Sequence, residues 1–165
     1  MQVMRIVLVF IVCWTGLASA SARVFSTEQQ YIAQFGPDVN KGVPVAPPYK
    51  FALYRLKKFS MIVLFLNQVS EGELIVRTNG MGRLTESDVN GFLAANQGTS
   101  GWKKEKVDTA TDPNAPQVSL WTRKDGKLYA LYVSSGPTPC ILIGTKRGGD
   151  YLMRQKDNLA GAIKS

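Results

Sequence analysis

The sequence predicts an α+β protein: an antiparallel sheet of about six to seven strands, built from two tandem units that are each a three-strand meander plus a helix, with a short N-terminal helix in front. Three observations carry this expectation. Stretches rich in β-branched and aromatic residues come in threes, at 51–54, 61–66 and 74–76 and again at 117–123, 127–133 and 140–143. Turn chemistry separates them, at Ser70-Glu71-Gly72, Asn79-Gly80 and Asp125-Gly126. Each trio is followed by a segment whose apolar residues recur at helical spacing.

The first 20 residues read as a signal peptide. Arg5 supplies the positive start, and the apolar run over 6–17 is shorter than the roughly 20 residues a membrane-spanning helix needs. Ala18-Ser19-Ala20 and Ala20-Ser21-Ala22 both offer the small residues of a cleavage site, so cleavage is expected after Ala20 or after Ala22. Val12 is too large to precede a lipid-modified Cys13. Removing the leader takes Cys13 with it, so Cys140 remains alone, without an internal disulfide, in a strand that would bury it. The expected product, 21–165, is a single globular domain with no transmembrane span. Its expected place is the periplasm or cell envelope of a bacterium, with an extracellular location as the alternative.

Ser26 stands as N-cap of a short helix over about 27–35, with Gln29 three residues on, an apolar stripe at Tyr31, Ile32 and Phe35, and Gly36-Pro37 as its stop. Pro44, Pro47 and Pro48 make 38–49 a surface linker. After the first three strands, Thr85 caps a helix running to about Asn96, with Asp88 as its reciprocal partner and Leu84 stapling Val89. A charged strand over 102–107 is expected at a sheet edge, where lysines discourage unwanted pairing. Asp125-Gly126 is the strongest hairpin signal and calls for a type I′ turn. A last helix over about 151–163 follows, with Asp150 as its N-cap.

A shift of 67 residues, without a gap, sets 61–66 on 128–133 and 74–76 on 141–143, Thr78 on Thr145 and Gly82 on Gly149. An internal duplication is the expectation, with unit one over about 50–97 and unit two over about 117–163.

The functional signals are mostly exclusions. With no histidine in 165 residues, His-based triads, His acid–base catalysis and His-containing zinc sites are ruled out. Ser100 and Lys103 have Ser-x-x-Lys spacing but lie in a Gly/Ser loop without companion motifs. Glu71 and Glu73 form a candidate acid pair beside a turn, and Asp108, Asp112 and Asn114 are fragments of an oxygen-ligand loop without its spacing. No catalytic residue, metal site or cofactor is assigned.

The positive signals point to binding. The chain carries 20 Lys+Arg against 12 Asp+Glu, gathered at 55–58, 103–106, 123–127 and 146–147. The candidate binding residues are Trp102, Trp121, Arg123, Lys124, Lys127, Lys146 and Arg147, read as a basic rim with aromatic neighbours. A duplication would place Lys57 and Lys58 in the turn equivalent to Lys124 and Asp125, and so on the same rim. Lys146-Arg147-Gly148-Gly149-Asp150 is a weak phosphate or carboxylate loop in which Asp150 competes for the donors. The middle strands, 61–66 and 128–133, are apolar on both faces. Helices on both sides, a homodimer interface or an apolar ligand groove would each cover the second face.

Together these features lead to an expectation of an exported, non-enzymatic protein engaging a macromolecular partner through a sheet face or basic rim, the partner being an envelope protein or an anionic polymer. Export argues against nucleic acid as the physiological target. The alternative is a carrier of a small apolar or anionic ligand, and the third reading is an enzyme that works without histidine.

Overall fold

The computed structural model describes residues 23–39, 47–78, 82–107 and 116–164. The leader, Pro44, Asn79-Gly80 and the segment holding Asp108, Asp112 and Asn114 lie outside the described residues. The elements run α1 (Glu28–Phe35), β1 (Tyr49–Arg55), β2 (Phe59–Leu66), β3 (Val69–Arg77), α2 (Glu86–Asn96), β4 (Trp102–Lys104), β5 (Val118–Arg123), β6 (Tyr129–Val133), β7 (Cys140–Gly144) and α3 (Lys146–Lys164). This is the expected α+β arrangement.

All seven strands form one antiparallel sheet in the order β1-β2-β3-β7-β6-β5-β4. The two meanders, β1-β2-β3 and β5-β6-β7, therefore meet through their last strands. At the join Leu74 lies opposite Leu142 and Ile75 opposite Ile141. The charged β4 takes the far edge, as its lysines suggested, but is only three residues long.

Alternation along the strands sends side chains to two cores. One face, with Tyr54, Met61, Val63, Phe65, Ile75 and Ile141, packs under α1 and α2, which contribute Tyr31, Val89, Phe92 and Leu93. The other, with Leu53, Ile62, Leu64, Leu74 and Leu142, packs under α3 through Leu152 and Leu159. Helices on both sides thus cover the doubly apolar β2, whereas β6 has helical cover on the α1/α2 face alone. Cys140 is buried in the second core and forms no disulfide among the described residues.

Several local expectations are corrected. The α1 capping box is Thr27 with Gln30, one residue beyond Ser26 and Gln29. Ser70-Glu71-Gly72 belongs to β3. The β2–β3 turn is Asn67-Gln68, where both residues have positive φ, 51° and 66°. The 124–127 hairpin forms, yet of its four residues only Gly126 has positive φ, at 70°. It is not a type I′ turn. Arg123 N–H donates to the Leu128 carbonyl and Gly126 N–H to that of Arg123, while the Asp125 carboxylate takes the Lys127 N–H. The last helix starts at Lys146 rather than near 151, because the Thr145 hydroxyl accepts from the Gly148 N–H and caps it. Asp150 is inside the helix, not its cap. By contrast, the Thr85–Asp88 capping box of α2 stands as expected.

The order of elements repeats, but the gap-free shift of 67 does not carry one unit onto the other. Leu74 packs beneath α3, whereas its counterpart at that shift, Ile141, packs on the α1/α2 face. The same shift keeps the faces for β2, since Met61 and Val63 share the α1/α2 face with Leu128 and Ala130, so it cannot fit both strands. By register, Met61 opposite Ile75 corresponds to Leu131 opposite Leu142, an offset of 70 for β2 against 67 for β3. Moreover, α2 and α3 cover opposite faces.

Candidate functional site

The third helix covers its face of the sheet only in part. Cross-strand partners on that face form one apolar row, Leu53–Ile62–Leu74–Leu142–Leu131–Leu120, running from β1 to β5. The first four are buried, between 0% and 6% exposed. Leu131 and Leu120 are only half-buried, because α3 lies over β3, β7 and β2 rather than over β6 and β5.

Glycines fix α3 in that position. A Cβ on Gly72 would lie 2.8 Å from Leu152 Cδ1, and one on Gly148 would lie 2.3 Å from the Glu71 carbonyl oxygen. Only bare backbone lets the first helical turn come this close. Two side-chain ties then pin the turn to β3. The Thr145 hydroxyl donates to one Glu71 oxygen at 2.6 Å, and Arg147 pairs with the other at 2.8 Å.

Beside the anchored helix, over β5–β7, lies a groove of about 360 Å³. Leu120, Leu131 and Leu142 form its floor, Tyr129 an end wall, Gly149 and Met153 the helical side, and Thr145, Lys146 and Asp150 its polar mouth. Tyr129 and Met153 are 37% and 40% exposed, high for large apolar side chains that line one concave surface. Next to the mouth, Lys146, Arg147, Asp150 and Arg154 line a shallow polar depression along α3. Tyr129 pairs with Gly144, which brings the turn carrying Lys124 and Lys127 to the same end of the sheet.

The residues expected at a basic rim divide. Lys124, Lys127, Lys146 and Arg147 are exposed at this one end. Lys57 and Lys58 are at the opposite end, because the antiparallel join of the meanders turns equivalent loops in opposite directions. The shared-rim expectation is therefore corrected. Arg123 is not a surface cation either. It is 6% exposed and holds Asp125 through two hydrogen bonds of 2.9 and 2.7 Å. It also donates to the Asn96 carbonyl and lies 5.8 Å from the centroid of the Phe25 ring. Trp102 and Trp121 are half-buried on the α1/α2 face, away from the groove. The Trp102 indole N–H is used by the Leu93 carbonyl at 2.7 Å, and Lys104 covers the Trp121 ring at 5.4 Å.

The remaining sequence candidates do not form sites. The Gly148 and Gly149 N–H groups bond Thr145, and the nearby carboxylate of Glu71 supplies the negative charge a bound anion would have brought. Lys103 pairs with Glu105 rather than with Ser100. Glu71 and Glu73 do not act as a pair, since Glu71 serves α3 while Glu73 is fully buried on the other face. Among the described residues no group of three or more His, Cys, Asp or Glu is placed to hold a metal.

Sequence reasoning missed what surrounds Glu73. Arg23 binds its carboxylate through two nitrogens, Tyr31 donates at 2.7 Å and Asn96 at 3.0 Å. Burial and the neighbouring Glu73 charge push the Tyr31 phenol well above its usual range. With its oxygens ringed by protein donors and closed off from solvent, this carboxylate is a structural tie and not a catalytic acid.

No family model matches the chain, and no curated protein does. Among solved structures it is similar to a cysteine-rich secretory protein from Staphylococcus aureus subsp. aureus Mu50, at 16% identity and a TM-score of 0.46, over 75% of this chain and 45% of that one. The match thus spans under half of that protein's length. Among the described residues no helix is long and apolar enough to cross a membrane.

Proposed function

We propose that this is an exported, non-enzymatic binding protein whose site is the groove between β5–β7 and α3. The observation that carries the proposal is the leucine row that leaves its helical cover at Leu131 and Leu120 and becomes the floor of a concave, mostly apolar surface. Burying such surface contributes roughly 25 cal/mol per Å², and a concave apolar site with a few polar groups at its mouth is the usual form of a ligand pocket.

Size favours a small ligand over a macromolecular partner. The groove's roughly 360 Å³ falls in the range of small-molecule pockets, about 300 to about 1,000 Å³. The β5 edge beside it, over Trp121–Arg123, is already paired with β4. Export rests on the leader-like first 20 residues. Among the groove's polar groups the Thr145 hydroxyl does meet the Glu71 carboxylate, but it also caps α3 through the Gly148 N–H, and Arg147 holds Glu71, so the contact is a structural tie rather than a nucleophile and its base.

Native mass spectrometry of the protein purified from its own host's envelope tests this reading. The expected result is a small bound mass that is absent from Met153→Trp, which fills the groove. A bound protein that survives high salt, with no small mass, would favour the macromolecular reading instead.

A further inference from the structure

Resting on that reading, we infer that the groove takes a single-chain amphiphile with an anionic head, its acyl chain lying across Leu142, Leu131 and Leu120 and its head at Lys146. The shape supports this assignment. The three leucines are direct cross-strand neighbours on adjacent strands, so the floor is a straight apolar track two strand spacings long, about 10 Å. A volume of about 360 Å³ is near the lower end of ligand pockets, which run from about 300 to about 1,000 Å³. It suits one flexible chain better than a fused ring system or a two-chain lipid.

Charge gives the track a direction. The groove's lining is apolar along the sheet, and its charged groups, Lys146 and Asp150, both belong to α3. Arg147 and Arg154 flank them on the helix, and the exposed Lys124 and Lys127 stand at the same end of the sheet. Arg147 is occupied by Glu71. Asp125, in the same turn as Lys124 and Lys127, is paired with Arg123, which leaves Asp150 against Lys146, Arg154, Lys124 and Lys127 and gives the mouth a net positive potential that attracts a carboxylate, sulfate or phosphate head. Met153, 40% exposed on the helical wall, is the flexible apolar contact that adapts to a chain.

Isothermal titration with laurate, and with dodecyl maltoside as an uncharged head on the same chain length, tests the inference below the micellar concentrations. Three proteins are compared: wild type, Met153→Trp and Lys146→Glu. Both substituted positions are exposed, and circular dichroism checks that the fold is kept. The expected result is saturable 1:1 binding of laurate that Met153→Trp abolishes and Lys146→Glu weakens about tenfold, with the maltoside binding more weakly than laurate. No saturable laurate binding, or binding that Met153→Trp leaves unchanged, overturns the inference. If host-purified protein carries a small mass that Met153→Trp excludes and laurate fails to displace, the amphiphile is wrong and the groove reading stands. If no such mass is found and laurate does not bind, both fall.

Discussion

Arg23 and Glu73, separated by fifty residues in sequence, meet as a two-toothed ion pair in which Glu73 is fully buried and the Arg23 side chain is 10% exposed. Taking away one partner leaves the other as a buried charge without compensation, which costs about 3–5 kcal/mol. Arg23→Met and Glu73→Leu are each expected to lower the unfolding free energy by about that amount. The double variant should regain part of the loss, because an apolar pair can replace a buried ion pair while Tyr31 and Asn96 still lose the acceptor they share. Urea unfolding of the three proteins measures this. A double variant as unstable as the sum of the singles would show that the two side chains do not act as a unit.

Two glycines should respond to alanine in opposite directions. At Gly148 the added methyl meets the Glu71 carbonyl oxygen at 2.3 Å, so α3 must lift from the sheet. A loss of about 1–3 kcal/mol is expected. Gly91 is exposed within α2, and a Cβ there meets nothing within 4 Å. Gly91→Ala should therefore stabilise by about 0.5–1 kcal/mol through helix propensity. Thermal melts that shift the same way for both would contradict the close-packing account of α3.

The alkaline limb of stability should depend on Tyr54. Burial, and after it the charges of Glu28 and Asp38, push its phenol from the usual 10.0 up to about 12. The unfolded chain then releases this proton at lower pH than the native protein. Its contribution is full below pH 10 and falls as pH rises toward about 12. Tyr54→Phe should flatten that limb. It should also raise stability slightly at neutral pH, since the hydroxyl is buried without a hydrogen-bond partner among the described residues. An unchanged slope between pH 9 and 11 would refute the assignment.

The cations of the β5–β6 hairpin should separate into structural and surface classes. Arg123→Ala is expected to cost about 1–3 kcal/mol, because it frees the Asn96 carbonyl and Asp125. Lys124→Ala and Lys127→Ala should stay within about 0.5 kcal/mol of wild type. Hydrogen bonding to Arg123, against the opposing effect of burial, holds the Asp125 carboxyl below its usual 3.8. Stability from this group is present above that pH and lost as pH falls through the lower native value. Asp125→Asn should weaken the acid dependence, as acid titration followed by circular dichroism would reveal.

Local chemistry was legible in the sequence, and tertiary closeness was not. The Thr85–Asp88 box, the strand trios and the lysine-marked edge at β4 all depend on residues a few positions apart. The capping of α3 was misread because Gly148 and Gly149 are poor helix formers. The close approach of β3 that makes a Cβ intolerable there cannot be seen from the helix's own residues. Arg123 reads as one of three clustered cations until the Asn96 carbonyl is brought to it from α2. Likewise Glu73 looks exposed beside a turn until Arg23, Tyr31 and Asn96 converge on it. The groove itself follows from where α3 ends its coverage, a matter of helix position that the doubly apolar β6 signalled only as a face in need of cover.

The join of β3 to β7 also sets the order in which the chain can fold. Every hairpin within a meander closes between neighbours in sequence, but Ile75 finds its partner only when Ile141 is available. Until then the first meander stands with an open edge of unpaired N–H and C=O groups along β3, the arrangement that recruits foreign strands. Closing so long a loop slows assembly. The rate-limiting step is thus expected to be the docking of two preformed halves rather than the formation of either.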